Sequence, residues 1–167
     1  MKTTRKNLDV SAPSSPSLEL RKRQAEIVLM LTRILRENER KVSVNLAEQG
    51  LHDITSAQAN VLMVLFQAKQ ALTASQVAEI LGVSEVTIAR FVKALTSAGW
   101  VDRLRNVRDA RMWHLKPTPK AYDALPKFIR VSNQMLDETF DGFSIDDFET
   151  LWSIINRVRV NLYKPEQ

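Results

Sequence analysis

Apolar residues recur at helical spacing, i, i+3, i+4 and i+7, along most of the chain, and this pattern predicts six helices. Capping residues mark several starts: Thr55 and Thr73 each stand three residues before a glutamine, and Thr118 precedes a proline that suits the first helical position. Pro126 removes a backbone N–H inside the fifth helix, which predicts a kink between Tyr122 and Pro126. In chain order the predicted helices span residues 18–48, 55–70, 73–81, 84–98, 118–141 and 144–163.

The third and fourth helices form a predicted helix-turn-helix. Gly82 ends the third helix, and Ser84 is a good N-cap for the fourth helix two residues later. One face of the fourth helix is apolar and faces a core, because Ile88, Phe91, Val92 and Leu95 recur at helical spacing. The opposite face is nearly free of acid and carries Val86, Ala89, Arg90, Lys93 and Ser97, with Thr87 at its margin.

Two short stretches after the fourth helix alternate in polarity and predict a β-hairpin. They span residues 100–105 and 111–116, and a polar loop of residues 106–110 joins them. Between Ser84 and Lys120 the chain has eight basic and three acidic residues, so this segment carries a net charge of +5, equal to the whole chain's formal charge. Such an asymmetry indicates a surface that binds a polyanion.

Several motifs in this region resemble the signature of the MarR family of winged-helix transcriptional regulators. They are Leu81-Gly82-Val83-Ser84, Val101-Asp102-Arg103, the Asp109-Ala110-Arg111 triplet near the wing tip, and Thr118 at the start of the next helix. The chain departs from the family pattern at Pro117 and Ala121. The resemblance implies a repressor whose first helix packs in a dimer interface. It also implies that an aromatic or phenolic acid binds between the winged domain and the dimer arm.

The predicted recognition face divides its roles between reading bases and contacting phosphates. Val86 suits contact with a thymine methyl group, Thr87 offers a hydroxyl, and Arg90 can reach a guanine edge. Lys93 lies farther from the helix start and is expected to meet phosphate. Arg111, held by Asp109, is expected to reach the minor groove or its phosphates. The candidate DNA-binding residues are Ser75, Ser84, Val86, Thr87, Arg90, Lys93, Arg108, Asp109 and Arg111.

The predicted fold class is mainly α with a small β-hairpin wing, a winged helix-turn-helix domain plus a helical dimerisation arm. Residues 1–17 are a predicted disordered arm, 18–52 a dimerisation helix, 53–117 the winged domain and 118–167 the C-terminal dimerisation helices. A helix of thirty residues is about 45 Å long, which exceeds what a domain of this size can cover. The apolar seams of the terminal helices therefore predict a homodimer.

Composition excludes several kinds of chemistry. The chain has no cysteine, which removes disulfides, thiol redox sensing and cysteine-ligated zinc. Its two histidines lack paired carboxylates at metal spacing, and its four glycines form no phosphate-binding loop. We therefore expect no enzymatic activity, no metal and no cofactor. Since no apolar run approaches the length of a membrane span and no signal peptide is evident, a cytoplasmic location is expected.

The leading hypothesis is a dimeric regulator that binds an inverted-repeat operator in double-stranded DNA. Charge, helix geometry and wing predict the DNA contact, whereas repression and release by a small effector follow only from the family resemblance. Two alternatives remain open: a winged-helix module that docks proteins without reading DNA, and a protein that coats DNA without sequence preference.

Overall fold

The computed structural model describes residues 17–105 and 113–163. Within these ranges the chain forms six α-helices and three β-strands, in agreement with the predicted fold class. In chain order they are α1 (Leu18–Glu48), α2 (Ser56–Gln67), β1 (Leu72–Thr73), α3 (Ala74–Leu81), α4 (Glu85–Ser97), β2 (Val101–Arg105), β3 (Trp113–Pro117), α5 (Pro119–Thr139) and α6 (Ile145–Leu162).

The chain divides into two compact units, residues 1–38 and 39–167, and α1 crosses the boundary. The described part of the first unit is the N-terminal portion of α1, where the large apolar side chains of residues 27–31 are all about half exposed or more. The second unit contains the helix-turn-helix, the sheet, α5 and α6. The predicted boundaries after residues 17, 52 and 117 remain a prediction.

Local sequence explains where the helices begin. The side chains of Thr55 and Thr73 each accept a hydrogen bond from the backbone N–H of the glutamine three residues on, and that glutamine bonds back to the cap. Thr118 caps α5 with Pro119 at its first position, as predicted. Gly82 ends α3 with φ 65°, a left-handed conformation that suits glycine. The turn between α3 and α4 is therefore fixed by its own residues.

The sheet differs from the prediction. Its order is β1-β3-β2, all antiparallel, so the hairpin of β2 and β3 gains a third strand in which Leu72 pairs with Leu115. Because the chain must extend to reach β1, α2 ends at Gln67 rather than near Gln70, and Ala68 is already extended at ψ 128°. α5 stays helical through Pro126, and the kink there remains a prediction.

The core of the second unit joins the helix-turn-helix to the sheet. Ile88, Val92 and Leu95 of α4 are at most 4% exposed, so the predicted apolar stripe of this helix does face the core. The largest fully buried side chains are Leu46, Leu62, Ile88, Leu95, Val61, Val77 and Val101. This packing fixes the orientation of α4, so its other face is directed to solvent.

Candidate nucleic-acid interface

The outer face of α4 is exposed as the sequence predicts. Val86 is 81% exposed in the first turn, and Ala89, Arg90, Lys93 and Ser97 are exposed as well. Within the described ranges, neither Arg90 nor Lys93 forms an ion pair. The guanidinium carbon of Arg90 lies 5.5 Å from the centroid of the Phe91 ring, a cation–π contact that leaves the N–H donors available. Both cations can therefore meet an anion without first breaking a salt bridge.

Two predicted contact residues, Ser84 and Thr87, are bonded to each other at the start of α4. Ser84 Oγ accepts the backbone N–H of Thr87 at 3.2 Å, and the two hydroxyl oxygens lie 2.8 Å apart. One hydroxyl donates to the other, so one O–H of the pair remains for an external acceptor. Thr87 is only half-buried. The pair thus presents one polar donor beside Val86.

Ser75 and Glu85 connect the starts of α3 and α4. The hydroxyl of exposed Ser75 donates to Oε1 of exposed Glu85, ten residues away in sequence. The sequence predicts Ser75 as a DNA contact. The structure shows that the single O–H of Ser75 is used within the protein. No sequence signal identifies such a pair, because the contact depends on the angle between the two helices.

The wing arginines stack on an aromatic ring. The guanidinium carbons of Arg103 and Arg105 lie 5.0 and 5.1 Å from the Trp113 ring centroid. Arg105 pairs directly with Trp113 across the hairpin, and Arg103 is two residues away on the same face. The sequence does not predict that these arginines stack on Trp113. Their stacking on Trp113 restricts the guanidinium groups to one face of the wing.

A cavity of about 440 Å³ lies between the recognition helix and the wing. Its walls carry the cationic side chains of Lys93 and Arg103, the Trp113 ring and no acid. The full lining consists of Ala74, Ala89, Val92, Lys93, Thr96, Ser97, Arg103, Trp113 and Leu115. The cavity therefore shares residues with the exposed face of α4.

Asp53, Trp100 and Lys120 form a polar cluster next to the start of β2. Buried Trp100 donates from Nε1 to Asp53 at 2.9 Å, and Lys120 bonds the same carboxylate at 3.2 Å while its Nζ lies 4.0 Å from the Trp100 ring centroid. Partial burial acts to raise the pKa of Asp53, but the hydrogen bonds from Trp100 and Lys120 outweigh it and hold the pKa below its usual value of 3.8. The cluster joins the loop before α2 to β2 and α5.

Three predicted wing-tip residues, Arg108, Asp109 and Arg111, lie outside the described residues, as do residues 1–16 of the predicted N-terminal arm. Their roles stay predictions. In the described ranges no group of three His, Cys, Asp or Glu side chains is placed to hold a metal ion. None of the helices in those ranges is both long and apolar enough to cross a membrane.

The helix-turn-helix and the first wing strand lie in a segment that matches a known family model. A family model described as the MarR family matches residues 52–112, which include α2, α3, α4 and β2. This segment of the chain is therefore similar to the MarR family. An uncharacterised HTH-type transcriptional regulator of Bacillus subtilis (strain 168), YybA, is 26% identical over 110 residues, which cover 66% of this chain and 73% of the relative. This relative is named as a transcriptional regulator, and the matched part of this chain is similar to it.

Solved structures of this family share the fold. The S. aureus MepR–DNA complex has a TM-score of 0.73 at 18% identity and covers 80% of this chain and 96% of its own. A mutant MarR of E. coli complexed with operator DNA has a TM-score of 0.70 at 24% identity, with 80% and 93% covered. A MarR transcriptional regulator from Methanosarcina mazei Go1 also scores 0.70, at 20% identity, with 83% and 97% covered. At these identities the likeness shows the shared winged-helix fold.

Proposed function

We propose that this MarR-type protein is a homodimeric repressor that binds an inverted-repeat operator and is released by a small aromatic acid. The observation that carries the DNA-binding part is the exposed face of α4. It presents Val86, Arg90 and Lys93 while the opposite stripe is fixed in the core. A recognition helix of this kind enters the major groove with its N-terminal residues at the base edges.

The wing supports the same assignment. Arg103 and Arg105 extend the cationic surface beside α4, and their stacking on Trp113 limits the entropy lost when they bind phosphate. Predicted contacts from Arg108 and Arg111, the latter positioned by Asp109, would continue this surface into the minor groove. The MepR and E. coli MarR structures that share this fold are complexes with DNA.

Uncovered apolar surface supports the dimer. α6 has no buried residue, and Ile145, Trp152 and Leu162 are 78%, 74% and 77% exposed. In the other unit, the apolar side chains of residues 27–31 are likewise uncovered. Large apolar surfaces of this kind mark association interfaces. A two-fold dimer would place two copies of α4 on the two halves of a palindrome.

The cavity between α4 and the wing supports the effector. Lys93 and Arg103 can pair with a carboxylate while the Trp113 ring packs against an aromatic ring. A ligand there would occupy cations that the bound state needs for DNA. The family resemblance instead predicts a crevice beside the dimer arm, and the release step requires only that the effector favour the DNA-free state.

Binding to the DNA immediately upstream of the protein's own coding region tests this function. At fixed salt, an inverted repeat in that DNA should bind far more tightly than a shuffled duplex of equal length, by about 10³-fold or more. Equal affinity for both duplexes would indicate a protein that coats DNA without sequence preference. Absence of binding to either duplex would favour the protein-docking alternative.

The effector is tested separately on the same complex. Addition of hydroxybenzoate should lower the affinity for the inverted repeat, because the ligand competes for Lys93 and Arg103 or stabilises the free state. Unchanged operator affinity with every aromatic acid tried would contradict ligand release while leaving the DNA-binding proposal intact.

A further inference from the structure

The recognition helix α4 carries one acidic residue, Glu85, in its first turn. Glu85 is exposed and directly precedes Val86, the most exposed apolar residue of α4. A carboxylate at this place would repel DNA phosphates, and its favourable interaction with the helix N-terminus does not require a partner on α3. The structure nevertheless gives it one, since Ser75 donates to its Oε1.

The contact with Ser75 leaves half of the carboxylate available. Ser75 engages Oε1, and among the described residues no hydrogen bond to Oε2 is formed. Because Ser75 lies in the first turn of α3, the bond fixes the Glu85 side chain in the gap between the two helix starts. Glu85 is thus an oriented anionic acceptor on the helix that also presents the exposed cations Arg90 and Lys93.

An oriented acceptor can read only a donor on the DNA. In the major groove the donors are the N4 amino group of cytosine and the N6 amino group of adenine, and a glutamate pairs best with the cytosine amino group. Adenine also presents N7, a second acceptor that would face the carboxylate unfavourably. The neighbouring methyl groups of Val86 suit a thymine at the next step. These preferences do not overlap with those of Arg90, which favours guanine.

We propose that Glu85 is a specificity-determining residue that accepts a hydrogen bond from a cytosine N4 amino group, and that Ser75 is its positioning residue. The inference rests on the proposed function, since it deepens the operator readout assigned to α4. It reassigns Ser75 from direct DNA contact to the orientation of a base-reading side chain. It also gives a role to the acid that precedes the exposed cations of α4.

Selection from a random double-stranded library tests the assignment position by position. Wild type should enrich an inverted repeat with cytosine at one position of each half-site. Glu85→Ala should enrich the same repeat but lose the cytosine preference there by about tenfold or more, with all other positions unchanged. Ser75→Ala should weaken that preference by a smaller factor. Asp123→Ala, which removes one exposed acid from α5 in the same unit, should leave every position unchanged.

The base preferences of the Glu85 variants distinguish a role of Glu85 in base readout from a purely structural role. If Glu85 only tethers α3 to α4, Glu85→Ala will lower affinity for all sites equally and keep every base preference, which overturns the inference. Should Glu85→Ala fail to fold, Glu85→Gln replaces it: a shift from cytosine to adenine at that position supports the inference, and an unchanged cytosine overturns it. A wild-type selection that enriches no inverted repeat contradicts the proposed function itself, a result distinct from the loss of one base preference.

Discussion

Arg90 and Lys93 are both exposed cations on α4, yet their different distances from the helix start predict different roles for them. Arg90 follows Val86 by one turn, close enough to the helix start to reach a base edge, while its contact with Phe91 restrains the guanidinium. Lys93 lies farther along and lines the cavity beside the wing. A planar guanidinium can bond guanine bidentately, whereas an ammonium acts on phosphate as a point charge.

Replacement of each cation by alanine should separate these tasks. Arg90→Ala should cost about 1–3 kcal/mol on the operator and much less on random DNA. Lys93→Ala should weaken both by similar factors and reduce the slope of log affinity against log salt by about one. Titrations on both duplexes at several salt concentrations measure this difference. Two variants that behave alike on operator and random DNA would show that Arg90 is only another phosphate contact.

At the level of the elements, Asp53, Trp100 and Lys120 form a hydrogen-bonded cluster next to the start of β2. The Asp53 carboxylate accepts hydrogen bonds from both partners, so its charged form is favoured in the folded protein. Because the pKa is lowered on folding, the stabilisation is complete above about pH 3.8 and is lost as the pH falls through the lower folded value. The Asp53 side chain is 49% exposed, so solvent screening reduces the size of this effect.

Asp53→Asn keeps an acceptor for Trp100 but removes the charge that Lys120 contacts. We expect it to lower the free energy of unfolding at pH 7 by about 0.5–1 kcal/mol. The deficit should disappear in acid, once the wild-type carboxyl is also protonated. Urea unfolding at pH 7 and at a series of values below 4 measures it, with Asp123→Asn as the exposed control. A deficit that persists unchanged in acid would show that the carboxylate charge is not its source.

The helices and strands also show which features of the fold the sequence predicts and which it does not. Caps and apolar spacing predicted the start of α4 and both of its faces, because these depend on residues within one or two turns. β1 escaped prediction since two residues, Leu72 and Thr73, are too few for an alternating pattern. The Ser75–Glu85 bond and the stacking on Trp113 escaped as well, because they depend on a helix angle and on the register of a hairpin.

For the whole molecule, the proposed assembly determines whether two recognition helices can reach one site. The predicted seam of α6 includes Ile155 and Val158, which are 49% and 46% exposed. A single chain leaves these side chains in water, while a two-fold partner would cover them. In the proposed function, dimerisation and operator symmetry would both follow from this apolar surface.

Ile155→Lys should disrupt this assembly, because it places a charge in the proposed seam. Wild type should sediment at twice the chain mass of 19.0 kDa, and the variant should dissociate with a dimer Kd raised about tenfold or more. Ser153→Lys adds the same charge on the other side of α6 and should remain dimeric.

Deletion from Ser144 onward should give aggregated or unfolded protein. A soluble, folded monomer from that truncation would contradict the obligate dimer.

Hydroxyl-radical footprinting of the protein on its selected site tests most directly the claim that a two-fold dimer reads DNA through α4 and the wing. We expect two symmetric protected regions whose centres are one helical turn, about 10 base pairs, apart. Methylation of major-groove guanines in each region should interfere with binding. A single protected region, or uniform protection without symmetry, would contradict it.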